Sequence, residues 1–399
     1  MERVQRVIAK VEPHDSPARY TSLGVECLQG EARLVTPWSV EVKNEQGSQI
    51  LTSRNIVIAT GARPTVPKIA GIDQVGYLTS DNIWELRELP EKLLILGGGP
   101  IGCELTQCFA RLGSQVTLVQ RNSRLMPRED PDASTKIESR FRAEGVRVLT
   151  GHVAYELKVE EGRKILLCHA GEDIVEIEFD VVLCALGRSA NTQRLGLEEL
   201  GIPLNPNGTV TTNEYLQTRI PNILACGDVA GPYQFTHVAA HQAWHAAVNS
   251  LFGHLRKFAV DYSVIPWCTF TDPEVARVGL NEQDAKDKGV AYEVTTYGID
   301  DLDRAIADGE AEGWVKVLTV PGKDKILGVT IVGQHAGDIL VEYVLAMRHG
   351  LGLNKILSTI HTYPTLAEAN KYAAGEWKKA HKPERLLSWV SSFHTWRRG

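Results

Sequence analysis

The stretch Leu93–Cys108, LLILGGGPIGCELTQC, constrains the fold more than any other part of the chain. An apolar run enters Gly97-x-Gly99-x-x-Gly102, an amphipathic segment leaves it, and a second apolar run, QVTLVQR, follows. Strand, glycine loop, helix and second strand in that order predict a βαβ unit whose loop binds a dinucleotide pyrophosphate. Gly97 permits the tight turn, Gly99 lets the backbone approach the anion, and Gly102 lets the helix pack closely on the strand. Gly98, Pro100 and Ile101 complete the loop and the first helical turn, where free N–H groups and the positive dipole end favour phosphate.

The end of the second strand chooses between nicotinamide cofactors. A carboxylate there holds the ribose 2′-hydroxyl of NAD, whereas an Arg accommodates the 2′-phosphate of NADP. Gln120-Arg121-Asn122-Ser123-Arg124 contains no carboxylate. NADP is the expected cofactor, with NAD as the alternative. Cys103 and Cys108 lie on the same predicted helix, separated by a rise of roughly 7.5 Å and a rotation of about 140°. A disulfide needs Cα atoms within roughly 6.8 Å. The pair is therefore expected to pack, not to bridge.

Elsewhere the chain alternates strand and helix signals. Residues 1–20 are helix-like, Val25–Ile58 alternates with a period of two, residues 153–185 read as further strands, and Thr236–Phe252 reads as a helix. From Ile265 a third region begins in strands and ends in helices. A net charge of −6 gives no footprint for nucleic acid. Seven irregularly spaced cysteines suggest a reducing compartment, and the charged start lacks the apolar core of a signal peptide. A cytoplasmic location is expected. No CxxC occurs, and His237 with His241 lacks a third ligand, so no metal site is expected.

Five strings then occur in order: IVIATGARP (56–64), GGGPIGCE (97–104), LGRSAN (186–191), TRIPNILACGD (218–228) and YPTLAE (363–368). Together they resemble the FAD-dependent pyridine nucleotide-disulfide oxidoreductases, the family of glutathione reductase, dihydrolipoamide dehydrogenase and mercuric reductase. The resemblance runs over essentially the whole chain. It implies an α/β fold of two interleaved nucleotide-binding domains of the glutathione reductase type, followed by a C-terminal α+β dimerisation domain. The implied boundaries are 1–78 and 188–262 for the FAD-binding domain, 79–187 for the NAD(P)-binding domain and 263–399 for the dimerisation domain.

The resemblance implies roles for single residues. Thr60 and Gly61 would meet FAD, Asp228 would hold the ribityl hydroxyls, and Glu31 and Ala32 would run beside the adenine. Gly187 and Arg188 would lie next to the nicotinamide, His237 would belong to the flavin-facing helix, and Glu104 would stand beside the flavin. The lysine that usually pairs with that glutamate has no counterpart here. In disulfide reductases a His precedes the Pro of the terminal motif and works with a Glu five residues on. Here Tyr363 takes the His position and Glu368 keeps the spacing, with His361 expected on the same face of an extended segment. Tyr, with an ordinary pKa near 10, is a poor proton acceptor at neutral pH. The pattern is closest to mercuric reductase-like members, although the vicinal cysteine pair usual at their end is replaced by SSFHTWRRG.

The implied activity is transfer of electrons from NAD(P)H through FAD to a small-molecule or metal-ion acceptor, in a homodimer. The alternatives are a dihydrolipoamide dehydrogenase-like enzyme and a non-catalytic NADP-binding dimerisation module. Family members begin with a further βαβ unit and GxGxxG for FAD, followed by the redox CxxxxC; neither is found in this sequence, so the FAD domain reads as incomplete and the chain as N-terminally truncated. Residues 377–399 carry six Lys or Arg against one acidic residue, with Leu386, Trp389, Phe393 and Trp396 at helical spacing. Such a helix is expected to pack on its own domain, with contact to an anionic membrane surface as the alternative. Expressed alone, the 399-residue chain should purify with little flavin. An absorption spectrum showing one FAD per chain would overturn that expectation.

Overall fold

The computed structural model describes residues 1–399, which divide into two compact units. The first comprises Met1–Gly102, Phe109–Arg121 and Val146–Asp261; the second comprises Cys103–Cys108, Asn122–Gly145 and Tyr262–Gly399.

In the first unit a four-stranded parallel sheet runs in the order Val181–Cys184, Lys92–Leu96, Gln115–Gln120, Arg147–Thr150. Leu93, Leu94, Ile95 and Leu96 are all buried, as a parallel strand covered on both faces requires. The helix Pro100–Leu112 follows, with Pro at its first position and Gly113 in the left-handed region at its end. Cys103 and Cys108 of this helix form no disulfide, the first being buried and the second exposed. The antiparallel strands Val153–Glu160, Arg163–Ala170 and Asp173–Phe179 form a separate sheet.

The same unit holds a three-stranded meander, Glu31–Thr36, Ser39–Asn44 and Gly47–Thr52. Two short pairings organise what surrounds it. Ile56–Ile58 pairs in parallel with Ile223–Ala225, and Ala62–Pro64 pairs antiparallel with Arg188–Ala190. Segments more than 120 residues apart thereby meet at their ends. The helix Thr236–Phe252 spans the residues read from sequence.

The second unit is built on a five-stranded antiparallel sheet ordered Pro266–Thr269, Glu274–Gly279, Ile326–Gly333, Trp314–Thr319, Glu293–Gly298. Side chains alternate across it. Ala276, Val278, Val315, Val317, Val329 and Ile331 join the core that Tyr343 and Trp377 complete from the helices Val341–Arg348 and Glu368–Ala380. The opposite face carries Lys316, Thr330 and Arg277 side by side, all buried.

That polar face is closed by charge. The Lys316 ammonium bonds Asp132 and lies 3.1 Å from Glu282 and 3.5 Å from Asp130. Arg277 pairs with Asp284 at 3.0 Å and with Glu129 at 3.3 Å, and its guanidinium lies over the Trp267 ring. Burial alone would lower the Lys316 pKa, but the bonds and charges of Asp132, Glu282 and Asp130 outweigh it and the value is raised.

The helix Glu384–Arg398 departs from expectation. None of its residues is buried, so it does not pack on its own domain. Its apolar side chains find no complementary surface within the chain. No helix is long and apolar enough to cross a membrane.

Removing the Lys316 charge tests the network. Lys316→Met should lower the unfolding free energy by about 3–5 kcal/mol in urea titrations, because three carboxylates then lack their cation. The Lys316 contribution is complete below an unfolded pKa of about 10.4 and is lost as pH rises through the raised folded value. A loss under about 1 kcal/mol at neutral pH would place the pair among weak surface bridges instead.

Candidate functional site

The glycine loop has three differently constrained positions. Gly97 adopts φ +108°, and its N–H donates to the Val119 carbonyl at 2.9 Å. A Cβ on Gly102 would lie 1.8 Å from the Gly97 carbonyl oxygen, so the helix start touches the turn backbone. A Cβ on Gly99 would meet nothing within 4 Å. The backbone is therefore closed behind the loop and open in front of it, where the 13-residue helix begins. This arrangement fits a pyrophosphate bound at the helix start. Pro100 is exposed and Ile101 half-buried.

Gln120 is buried at the end of its strand, and its Oε1 accepts the Gly98 N–H at 3.4 Å. It braces the loop, a task legible only once the strands are paired. Arg121 is exposed beside it. Arg124 is engaged elsewhere, donating to the Pro127 carbonyl and the Gln283 side chain. Of the two arginines after the strand, Arg121 is the one available to a 2′-phosphate.

A second constellation lies at the paired strand ends of the first unit. Thr60 Oγ1 donates to the Asn191 carbonyl at 2.8 Å, Asn191 Nδ2 returns a bond to the Thr60 carbonyl at 2.9 Å, and Asn191 N–H donates to the Gly61 carbonyl. Gly61, at φ +66°, makes the turn that allows this. Gly187 accepts the Thr65 N–H, and Arg188 donates to the Ala62 carbonyl at 2.8 Å. Arg188 Nε then lies 3.3 Å from Asp228 Oδ2. Thr60, Gly61, Gly187, Arg188 and Asp228 are thus one assembly, with a cation and a carboxylate side by side.

Sequence reading missed a brace in that assembly. Gln242 is fully buried, accepts the Gly227 N–H at 2.6 Å and donates to the Gly231 carbonyl at 2.6 Å. It holds the Gly227-Asp228 turn to the helix Thr236–Phe252. No local pattern distinguishes this Gln from a surface one. His237 is exposed in the first turn of the same helix, its ring 5.3 Å from that of Phe235. Glu31 and Ala32 are exposed at the start of an edge strand, with Glu31 4.0 Å from Arg194.

The second unit holds the terminal motif. Tyr363 donates its hydroxyl to Asp303 Oδ2 at 2.9 Å, and that bond to a carboxylate raises the Tyr363 pKa. The phenol is therefore held as a proton donor. Glu368 is buried and accepts the Thr365 N–H at 3.2 Å. His361 does not share the surroundings of Tyr363. Its Nε2 lies 3.0 Å from Glu342 Oε1 and its Nδ1 3.1 Å from the Thr359 carbonyl, while Tyr363 stays exposed. The expected common face is corrected: residues 361–363 form no strand, and the two side chains bond different partners, His361 to Glu342 and Tyr363 to Asp303. Asn370 also donates to Glu342, at 2.9 Å. Glu104 accepts the Phe270 N–H at 2.9 Å, and burial pushes its pKa up.

Comparison with known proteins agrees with this geometry. Residues 9–243 match the family described as pyridine nucleotide-disulphide oxidoreductase, and residues 265–374 match its dimerisation domain. A mercuric reductase of Streptomyces lividans is 39% identical over 364 residues, which are 89% of this chain and 76% of that protein. A mercuric reductase of Staphylococcus aureus is 39% identical over 88% of this chain, and the chain spans 63% of its length. A dihydrolipoyl dehydrogenase of Chlamydia muridarum is 34% identical over 86% of this chain and 73% of that protein. Among solved structures, LpdA from Mycobacterium tuberculosis superposes with a TM-score of 0.84 at 25% identity, covering 93% of this chain and 81% of that one. The Cu(II) complex of the HOCl-induced flavoprotein disulfide reductase RclA from Escherichia coli gives 0.79 at 28% identity, over 87% and 78%. The fold is the glutathione reductase type, and the chain belongs to the pyridine nucleotide-disulphide oxidoreductase family.

Proposed function

We propose that this chain forms the nicotinamide-binding and dimerisation parts of a mercuric reductase-like, FAD-dependent oxidoreductase that takes electrons from NADPH. The observation that carries the reading is the glycine loop, closed behind by the Gly102–Gly97 contact and open at Gly99. When bound, the nicotinamide would supply hydride chemistry and the flavin two-electron redox chemistry. The chain's own residues bind and orient. Gly97–Gly102 and the helix start would hold the pyrophosphate, and the exposed Arg121 would pair with the 2′-phosphate. Thr60, Gly61 and Asp228 would line the flavin side, with Arg188 pairing with the Asp228 carboxylate and so helping to orient it toward hydroxyl donors. The other flavin assignments, Glu31, Ala32, Gly187, His237 and Glu104, stand on the family pattern.

The acceptor site would use Tyr363 and Glu368 of one subunit against the flavin of the other. A homodimer is supported by the match to a dimerisation domain and by apolar side chains left at the surface near the motif. Ile360 is 95% exposed, and Val341 and Leu345 are exposed as well. Tyr363 as a donor suits an acceptor whose reduction needs no imidazole base. The dihydrolipoyl dehydrogenase reading is weaker because those reductases use a His at this place. A cytoplasmic location fits the free cysteines, and the basic tail adds contact with a membrane surface.

Two measurements test this. Titrating the purified chain with each nucleotide should show NADPH binding about tenfold tighter than NADH, the worth of a charge-assisted hydrogen bond. Gly102→Ala should abolish that binding and lower stability by about 1–3 kcal/mol, because its Cβ cannot be accommodated. Binding of neither nucleotide, or preference for NADH, would remove the NADPH assignment. With the chain saturated with added FAD, Tyr363→Phe should slow Hg(II)-thiolate-dependent NADPH oxidation about tenfold with NADPH affinity unchanged. An unchanged rate would take Tyr363 out of the acceptor site.

A further inference from the structure

The last helix of the second unit lies beyond the dimerisation match at residues 265–374. The helix Glu384–Arg398 buries none of its residues. Leu386, Trp389, Val390, Phe393 and Trp396 recur at three- and four-residue intervals, which places them on one face. The rings on that face stack on one another, Trp389 on Phe393 at 5.9 Å, with Trp396 6.1 Å from Phe393. Trp389 is 65% and Trp396 77% exposed. The opposite face is mixed, with Ser391 and Thr395 beside Glu384, Leu387 and Arg398. Ser392 and Thr395 turn their hydroxyls back to the Ser388 and Ser391 carbonyls.

Charge identifies what covers this face. Residues 377–399 carry six basic residues against one acidic, on a chain whose net charge is −6. Lys378, Lys379 and Lys382 precede the helix, and Arg397 and Arg398 end it, so cations flank the apolar face at both ends. Arg397 also sits over the Phe393 ring at 5.9 Å. A second copy of the tail would bring the same positive charge and be repelled. Tryptophan combines an apolar ring with an N–H donor, which suits the boundary between headgroups and acyl chains. Fifteen residues span roughly 22 Å, too short for a hydrocarbon core of about 30 Å but long enough to lie along its surface. We infer that the helix Glu384–Arg398 lies in the plane of an anionic lipid surface, its Trp389, Phe393 and Trp396 face buried in the headgroup layer and its flanking lysines and arginines on lipid phosphates. The helix tethers the oxidoreductase to the membrane without crossing it.

The experiment is co-sedimentation of the full 399-residue chain with vesicles of equimolar phosphatidylglycerol and phosphatidylcholine, and with phosphatidylcholine alone. Pelleting with the anionic vesicles only, reduced by added salt, is expected. Arg397→Glu with Arg398→Glu should weaken it by on the order of fivefold per residue or more. Trp389→Ser with Trp396→Ser should abolish it and, because both side chains are exposed, leave the thermal transition unchanged. Equal pelleting with both vesicle types, or no effect of either variant pair, would overturn the proposal. Tail-dependent self-association in sedimentation velocity without vesicle binding would overturn it in favour of a second copy. Nucleotide binding is measured separately, so failure here leaves the redox reading standing.

Discussion

The contact between Gly102 and the carbonyl of Gly97 is the constraint on which the nucleotide-binding half depends. Two backbone segments approach so closely that any side chain at 102 would overlap the oxygen. That closeness lets the helix Pro100–Leu112 start directly on the end of the strand Lys92–Leu96. It also leaves the first helical N–H groups without intrahelical partners and facing outward. Everything a dinucleotide requires of the loop follows: a turn at Gly97, an open approach at Gly99, and a positive helix end. The buried Gln120 amide then restrains the loop from the neighbouring strand.

A different logic assembles the residues proposed for the flavin side. The segments 60–61, 187–188 and 227–228 lie beside or within three-residue strands and a single 3-10 turn, elements too short to fix one another's positions without partners. They become a site because short pairings bring distant segments together and Asn191, Arg188 and Gln242 bond across them. The Arg188–Asp228 pair is partly shielded from solvent, so its geometry is worth more for orientation than for stability. The second unit uses burial differently. Its sheet keeps one apolar and one charged face, and the charged face is covered by segments that supply matching carboxylates.

How much could be read beforehand depended on the range of the interactions involved. The glycine loop, the helix Thr236–Phe252 and the five ordered motifs are local patterns, and each appears where its spacing placed it. The unreactive spacing of Cys103 and Cys108 followed from helix geometry alone. Gln242, Glu342 and Asn370 were not legible, because their partners are set by packing and not by neighbours in sequence. Lys316 is a sharper case. It sits inside the run WVKVLT and would pass for a solvent-facing strand residue, yet it is 5% exposed among three carboxylates. His361 was assigned to the face of Tyr363 by an alternation that needs a strand, and residues 361–363 form none.

The amino-acid sequence by itself determined the βαβ loop, the order of the motifs and hence the family, since glycine spacing and apolar periodicity act over a few residues. It also determined that the terminal helix has an aromatic face and basic flanks. Tertiary structure alone decided that this face stays uncovered, that Arg188 meets Asp228, and that Tyr363 donates to Asp303 while His361 turns to Glu342. Those outcomes depend on which distant surfaces are complementary in shape and charge. Such complementarity exists only when the chain is folded.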